Sequence, residues 1–153
     1  QGSNKVLQEV KKITNLPILR KDFIIDDYQI YESKLIGADC ILLITSILSD
    51  VQIEDYVSKA EAINLDVLIE VHDEEELARI SRFKNALIGV NNRNLKTFEV
   101  DLTNAVRLRK NYSGNQIFIA ESGIKSNADI EYLVSNDINV FLIGESLMRG
   151  NLF

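Results

Sequence analysis

Residues 17–25 read Pro-Ile-Leu-Arg-Lys-Asp-Phe-Ile-Ile, an apolar run that three charged side chains interrupt. This pattern predicts a short buried strand that ends near Lys21. A buried lysine is costly, because desolvation disfavours the charged form, whereas nearby carboxylates favour it. A lysine at such a strand end is therefore a candidate to give or take a proton near neutral pH.

Similar apolar runs recur along the whole chain at near-regular intervals. They are rich in Ile, Leu and Val and do not alternate with polar residues, which is typical of strands buried on both faces of a parallel sheet. The six runs are residues 17–22, 39–45, 66–71, 86–91, 116–121 and 139–144.

Amphipathic segments separate these runs and predict helices. Their apolar residues fall at helical spacing, and several open with acidic residues or a good N-cap. The predicted helices are residues 3–13, 50–64, 73–82, 101–110 and 126–135, with a short one at Leu147 and Met148. The repeated α-β pattern has no Pro-rich or Gly/Ser-rich linker, so it predicts one domain over residues 1–153, either a doubly wound sheet or a (β/α) barrel.

The ends of the six runs favour the barrel. Every run finishes in polar residues or glycine, and in a barrel the carboxyl ends of all strands converge on one mouth that carries the chemistry. An open sheet would use only the ends near its switch point. A full barrel needs about 250 residues and eight strands. The sequence therefore predicts an incomplete (β/α)8 TIM barrel of six βα units, truncated at its N-terminus so that the first two strands are absent.

Composition limits the partners and the compartment. A formal net charge of −6 argues against general binding to nucleic acid or to anionic membranes. No apolar stretch reaches the roughly 18 residues of a membrane helix. Cys40 is the single cysteine; we expect it to be buried and inert, and the chain to be cytoplasmic. The chain has no His/Cys cluster and no dense carboxylate motif, so no metal site is expected.

Lys21 and Glu70 are the first candidates for catalysis. Glu70 lies inside an apolar strand, and a lysine and a glutamate at one barrel mouth form a plausible acid/base pair. The alternative is a mutual salt bridge, or two solvated charges on loops. His72, the only histidine, is expected to have a loop or capping role.

The last two strand ends predict a phosphate site. Glu121-Ser122-Gly123 and Gly144-Glu145-Ser146 each precede a predicted helix, and glycines with helix N-termini favour bound anions. Barrels frequently bind phosphate at these two loops. The alternative is that both glycines only make tight turns.

The polar run after residues 87–90 is a third candidate site. Asn91 could hydrogen-bond a polar substrate, and the planar fork of Arg93 could bind a carboxylate or a phosphate. The alternative is an Asn-rich turn, an interpretation that suits Asn92 and Asn94.

The motifs together resemble indole-3-glycerol phosphate synthase of tryptophan biosynthesis, in that family's order and at about its spacing over nearly the whole chain. The lysine and asparagine-arginine motifs are the most specific. The motifs are Leu-Arg-Lys-Asp-Phe-Ile at 19–24, Tyr-Gln-Ile-Tyr-Glu at 28–32, Gly-Ala-Asp at 37–39 with Ile-Leu-Leu-Ile at 41–44, Leu-Ile-Glu-Val-His at 68–72, Gly-Val-Asn-Asn-Arg-Asn-Leu at 89–95, Ala-Glu-Ser-Gly-Ile at 120–124 and Leu-Ile-Gly-Glu-Ser-Leu-Met at 142–148.

The resemblance implies a lyase that closes the ring of 1-(2-carboxyphenylamino)-1-deoxyribulose 5-phosphate, with loss of carbon dioxide and water and without a cofactor or metal. It implies that Lys21 is the general acid that protonates the substrate carbonyl oxygen. Glu70 matches the catalytic carboxylate of strand 5.

The remaining roles are also implied by the resemblance. Asn91 and Ser122 match residues that position the substrate, with Asn91 placed in the catalytic set. Arg93 matches a substrate-contacting arginine. Gly123, Gly144 and Glu145 match the phosphate-binding turns, where backbone N–H groups would do most of the binding, so the Glu145 side chain is expected to point away from the phosphate.

Two alternatives stay open. One is another phosphate-binding barrel enzyme such as phosphoribosylanthranilate isomerase, against which the Arg-Lys-Asp-Phe motif argues. The other is a non-catalytic phosphate-binding fragment. In the family, the missing N-terminal region supplies another catalytic lysine and glutamate, so the 153-residue chain alone is expected to be inactive. Fusion or association with other tryptophan-pathway enzymes is a further expectation.

Overall fold

The computed structural model describes residues 2–94 and 97–150, and within them six strands alternate with helices. The strand order in the sheet follows the chain order. Strand pairing is parallel between β1 and β2, between β4 and β5, and between β5 and β6. The strands are β1 (Leu19–Arg20), β2 (Cys40–Ile44), β3 (Asp66–Val71), β4 (Leu87–Asn91), β5 (Phe118–Glu121) and β6 (Val140–Leu142).

Helices connect and flank these strands in the described part of the chain. They are α1 (Asn4–Ile13), α2 (Tyr28–Leu35), α3 (Asp50–Ala62), α4 (Glu74–Ile80), α5 (Thr103–Asn111), α6 (Asn127–Val134) and α7 (Glu145–Met148). A doubly wound sheet reverses its strand order at a switch point, whereas a barrel sheet runs in chain order. The observed order therefore confirms the α/β class and the incomplete (β/α) barrel.

Side-chain caps explain where four of the described helices begin, one of them being α1, which Ser3 caps. The Ser49 hydroxyl caps α3 and the Ser126 hydroxyl caps α6, each within a reciprocal capping box. The Asp73 carboxylate accepts a hydrogen bond from the backbone N–H of Glu76 and so caps α4. These serines and aspartate satisfy N–H groups that have no partner inside the helix.

Two elements differ from the sequence-based expectation. β1 has two residues instead of the predicted six, in part because Pro17 has no N–H and the Ile18 N–H donates to the Asp39 side chain at 2.8 Å. α2 was not among the predicted helices, since its charged and aromatic residues hide the apolar spacing. Only Ile30 and Ser33 of α2 are buried.

Residues 1–69 and 70–153 form two compact units, and β3 passes from one to the other. In the first unit the core includes Ile41, Leu43 and Ile53; in the second it includes Ile88 and Leu108. All five residues of β2 are buried, as expected for a strand covered on both faces. The prediction of a single domain over residues 1–153 stays a prediction.

Cys40 lies in this buried strand. Burial raises the pKa of its thiol to about 12, with the nearby Asp66 carboxylate as a further cause. A thiol in that environment is a poor nucleophile, so the expectation that Cys40 is buried is confirmed and its inertness follows.

Candidate active site

In the first unit, the buried cation at the end of β1 is Arg20, and Lys21 is exposed. The Arg20 guanidinium lies 2.8 Å from the Glu32 carboxylate and donates to the Ser33 hydroxyl at 3.1 Å, so it fastens β1 to α2. The sequence-based expectation of a lysine desolvated at a buried strand end is therefore wrong for Lys21. Arg20 takes that place because its fork can satisfy several acceptors at once.

The orientation of Arg20 also bears on Lys21. Successive residues of an extended chain point to opposite sides. Since Arg20 points to α2, Lys21 is expected on the side away from that helix. Residues 20–22 line an open cavity of about 660 Å³ together with residues of α1. The choice of Lys21, rather than Arg20, as the residue for chemistry stays a prediction.

In the second unit, Glu70 and Asn91 are in direct contact. The Glu70 side chain is buried in β3, and the Asn91 side chain donates from Nδ2 to Glu70 Oε1 at 2.9 Å. Asn91 Oδ1 accepts a hydrogen bond from the backbone N–H of Arg93 at 3.0 Å. Because both ends of the Asn91 amide are engaged, its orientation is fixed, and it holds the carboxylate of Glu70 on one side.

His72 joins the same cluster. Its Nε2 lies 3.4 Å from Glu70 Oε1, and its Nδ1 lies 3.0 Å from Glu76 Oε2. The nearby Glu70 carboxylate, followed by the hydrogen bond to Glu76, raises the pKa of His72 to about 9, although burial opposes the rise. His72 is therefore a cation at neutral pH, so the expectation of a plain loop or capping role was incomplete. The signal in the sequence was its position two residues after Glu70, with Glu76 one helical turn further on.

Glu121 is a second buried carboxylate at a strand end that the sequence-based site set did not include. It ends β5, is only 1% exposed, and pairs in the sheet register with Asn91. The signal that could have found it is the one used for Glu70, a carboxylate at the end of an apolar run. Asn91 thus lies between two strands that each carry a buried carboxylate.

The side chain of Asn92 is structural, although Asn92 is not in a left-handed turn as the alternative expected. It is buried, and its Oδ1 accepts from the backbone N–H of Ala105 at 3.0 Å while its Nδ2 donates to the Ser122 carbonyl at 3.3 Å. Arg93 forms an isolated antiparallel bridge with Val100. Leu95, which ends the asparagine-arginine motif, lies outside the described residues.

Ser122 and Gly123 adopt consecutive left-handed conformations, with φ of 65° and 83°. A Cβ on Gly123 would collide with the Val100 side chain, so both φ and packing require glycine there. Successive N–H groups in such a turn form a concavity suited to an anion. Gly123 is therefore more than a spacer in this loop.

The loop after β6 is tied to the loop after β5. The Ser146 hydroxyl is buried and donates to the carbonyl of Ile124 at 2.6 Å, so the two predicted phosphate loops are neighbours. Gly144 is the N-cap residue of α7, and a Cβ there would meet no atom. The exposed Glu145 carboxylate pairs with Arg149 at 2.9 Å, one turn along α7. Ser146 was missed because a lone serine after a strand carries no pattern.

The structure thus places seven of the eight predicted site residues in the second unit and Lys21 in the first. In residues 2–94 and 97–150, no three His, Cys, Asp or Glu side chains are grouped so that they could hold a metal ion. None of the helices described in those ranges is long and apolar enough to cross a membrane.

Comparisons with known proteins agree on one family. The family model of indole-3-glycerol phosphate synthase matches residues 1–152. The indole-3-glycerol phosphate synthase of Endomicrobium trichonymphae is 49% identical over 152 residues, covering 99% of this chain and 59% of that protein. That of Legionella pneumophila (strain Lens) is 49% identical over 151 residues, covering 99% of this chain and 58% of that protein.

Solved structures support the fold alone. A tryptophan synthase complex of Pyrococcus furiosus contains a chain that matches with a TM-score of 0.75 at 15% identity, over 95% of this chain and 63% of that chain. FabK of Thermotoga maritima matches with a TM-score of 0.74 at 11% identity, over 95% of this chain and 46% of that chain.

This chain spans about three fifths of the length of the curated relatives that it matches. The family model covers nearly all of it, matching residues 1–152. The chain belongs to the indole-3-glycerol phosphate synthase family.

Proposed function

We propose that the intact protein catalyses the ring closure of 1-(2-carboxyphenylamino)-1-deoxyribulose 5-phosphate to indole-3-glycerol phosphate, with release of carbon dioxide and water. The observation that carries the proposal is the family match over residues 1–152, together with a buried carboxylate and an oriented amide at the ends of adjacent strands. Such a lyase acts in tryptophan biosynthesis.

The proposed role of Lys21 is to donate a proton to the carbonyl oxygen of the substrate as the new carbon–carbon bond forms. Lys21 lies immediately after β1 and lines an open cavity. An ammonium group on a flexible stem offers three donors and can follow the oxygen as its charge develops. Its exposure is compatible with that role, since a bound substrate would itself exclude water.

The proposed role of Glu70 is to stabilise the cationic intermediates and to move a proton during dehydration. Its carboxylate is buried, and a charge acts more strongly where water is excluded. Asn91 fixes the orientation of that carboxylate from Nδ2. Arg93 and Ser122 would contact the polar groups of the substrate.

The proposed phosphate anchor is the pair of loops after β5 and β6. The left-handed turn at Ser122 and Gly123 presents successive N–H groups, and the Ser146 hydrogen bond to Ile124 holds the second loop beside the first. Glu145 pairs with Arg149, which supports the idea that the backbone of this turn, not its acidic side chain, binds the phosphate.

An assay of the intact protein tests the activity. The substrate of the synthase and that of phosphoribosylanthranilate isomerase are supplied separately; formation of the indole chromophore is followed with the first, and consumption of the second is followed by chromatography. We expect indole formation from the first substrate and no turnover of the second. Turnover of the second substrate alone would refute the proposal.

Lys21→Met in the intact protein tests the general acid. Loss of a general acid lowers kcat by about 10²–10⁴-fold, while phosphate contacts and thus KM change little. Lys12→Met is the matched control, because Lys12 is an exposed lysine of α1. A kcat within about twofold of the control would refute the role of Lys21.

We further propose that the 153-residue chain alone is inactive, since the resemblance assigns another catalytic lysine and glutamate to a region that precedes it. A cytoplasmic location, and association or fusion with other enzymes of tryptophan biosynthesis, are proposals that rest on the family. Co-purification of the natively expressed protein with such enzymes, followed by size determination, tests the association.

A further inference from the structure

His72 is held between two carboxylates that come from different elements. Glu70 of β3 faces its Nε2 at 3.4 Å, and Glu76 of α4 faces its Nδ1 at 3.0 Å. A neutral imidazole has one N–H and one bare nitrogen, so it can donate to only one of these oxygens. Nε2 makes no hydrogen bond among the described residues, yet it faces the Glu70 carboxylate. A bare Nε2 would set its lone pair against that carboxylate, whereas a protonated one is attracted to it, so the contact favours the imidazolium form, and the pKa of about 9 agrees with that form.

Glu76 is itself fixed by the start of α4. Its backbone N–H donates to the capping carboxylate of Asp73 at 2.9 Å, and its Oε2 accepts from the backbone N–H of His72 at 2.7 Å. The same oxygen therefore holds both the backbone and the ring of His72. Glu76 at the third helical position reaches back in the manner of a capping box, one residue further than usual.

The other elements that contact His72 contribute no charge in the contacts described. From α5, the Asn104 side chain donates to the His72 carbonyl at 3.0 Å and lies 3.4 Å from the Asn91 carbonyl. Arg107, also of α5, is engaged by the Glu74 carboxylate. The charged groups that face the imidazole are thus Glu70 on its own strand and Glu76 on α4.

Both of the contacts to Glu70 in this cluster fall on the same oxygen. Asn91 Nδ2 donates to Oε1 at 2.9 Å, and His72 Nε2 approaches that oxygen at 3.4 Å. The hydrogen bond from Asn91 and the attraction to the imidazolium both stabilise the ionised carboxylate, and the Asn91 bond orients it. A carboxylate that must meet a developing positive charge benefits from this preorganisation.

We propose that His72, locked as an imidazolium by Glu76, is a positioning residue that keeps Glu70 ionised and oriented for the reaction. The inference deepens the proposed function and rests on it for the catalytic consequence. We call the chain of contacts Glu76–His72–Glu70 the relay. Its existence can be tested in this chain without measuring turnover. His72 acts through Glu70 and does not touch the reacting atoms.

Nuclear magnetic resonance of the imidazole tests the relay directly, because His72 is the only histidine of the sequence. We expect one imidazole signal whose midpoint lies well above that of a free histidine. Glu76→Gln should lower this midpoint by about one pH unit or more, because it removes a charged acceptor. Glu75→Gln is the matched control on the exposed side of the same helical turn and should leave the midpoint unchanged.

Turnover of the intact protein tests the positioning role. We expect His72→Gln to lower kcat by about tenfold or more with little change in KM, since substrate contacts remain while Glu70 loses its orientation. Glu76→Gln, which leaves the imidazole in place, should lower kcat in the same direction by a smaller factor.

The outcomes separate the two proposals. An ordinary histidine midpoint in the unmodified chain, or a midpoint that Glu76→Gln does not move, overturns the relay whatever the activity. Unchanged kcat in both variants of an active enzyme overturns the positioning role. Absence of synthase activity in the unmodified intact protein refutes the proposed function and with it the positioning role, while the relay is still decided by the resonance of His72.

Discussion

The ends of β1 and β3 both carry buried charge, but the charge is used differently. At β1 the buried Arg20 faces acceptors from α2, and the exposed Lys21 follows it. At β3 the buried charge is Glu70 itself, which accepts a hydrogen bond from Asn91 and lies 3.4 Å from Nε2 of His72. The first arrangement fastens a helix to a strand, whereas the second surrounds a carboxylate for which we propose a catalytic role. A buried charge at a strand end is therefore not by itself a sign of function; the partners decide.

The largest stability effect is expected at the β1 end. Arg20→Ala removes a buried guanidinium and leaves the Glu32 carboxylate and the Ser33 hydroxyl without it, which should destabilise the first unit by about 2–4 kcal/mol. Urea unfolding measures the change. Lys12→Ala, on the surface of α1, is the control and should stay within about 0.5 kcal/mol. Equal effects of the two substitutions would show that Arg20 has no fastening role.

At the β3 end, the charge on His72 should make the free energy of unfolding depend on pH. Folding raises the pKa of His72 to about 9, so its contribution to stability is complete below the unfolded value of about 6.5 and is lost as the pH rises through 9. The free energy of unfolding should fall by no more than about 3 kcal/mol over this pH range.

Urea unfolding at several pH values, in the unmodified chain and in His72→Gln, measures this contribution. The difference in stability between the two should shrink as the pH rises from about 6.5 to beyond 9. A difference that is independent of pH over this window would contradict an imidazolium between two carboxylates.

A smaller effect on the free energy of unfolding is expected at the helix caps, which allow the two units to be compared. Ser49 and Ser126 form equivalent capping boxes on α3 and α6. Replacing either serine with alanine should lower the free energy of unfolding by about 1 kcal/mol, because each leaves a backbone N–H without its acceptor. Amide hydrogen exchange of the two helices measures the local effect. If each substitution weakens protection in its own helix, the caps act locally; protection lost equally in both helices would contradict that.

The sequence predicted the number of strands and their order along the chain, because buried parallel strands leave continuous apolar runs. It also predicted a helix that starts at Ser126 and a carboxylate, Glu70, within a strand. Both predictions rest on signals carried by a few neighbouring residues. The sequence did not predict the helix α2 or the length of β1. Their limits depend on tertiary contacts such as the Ile18 N–H to Asp39 bond.

The site shows the same division. The positions of Asn91, Gly123 and Gly144 at strand ends followed from spacing, but the contacts that orient them did not. The charge state of His72 depends on two carboxylates that the fold brings to its ring. The hydrogen bond from Ser146 to Ile124 joins two segments that are more than twenty residues apart in the sequence. Neither leaves a periodic trace in the chain.

The central claim is that the buried carboxylate of Glu70 carries out chemistry in a synthase site. The most direct measurement is the rate of indole formation by the intact protein at saturating substrate, compared between Glu70→Gln and Glu131→Gln, an exposed glutamate of α6. We expect Glu70→Gln to lower kcat by about 10²-fold or more and the control to leave it within about twofold. Equal rates in the two variants would contradict the claim.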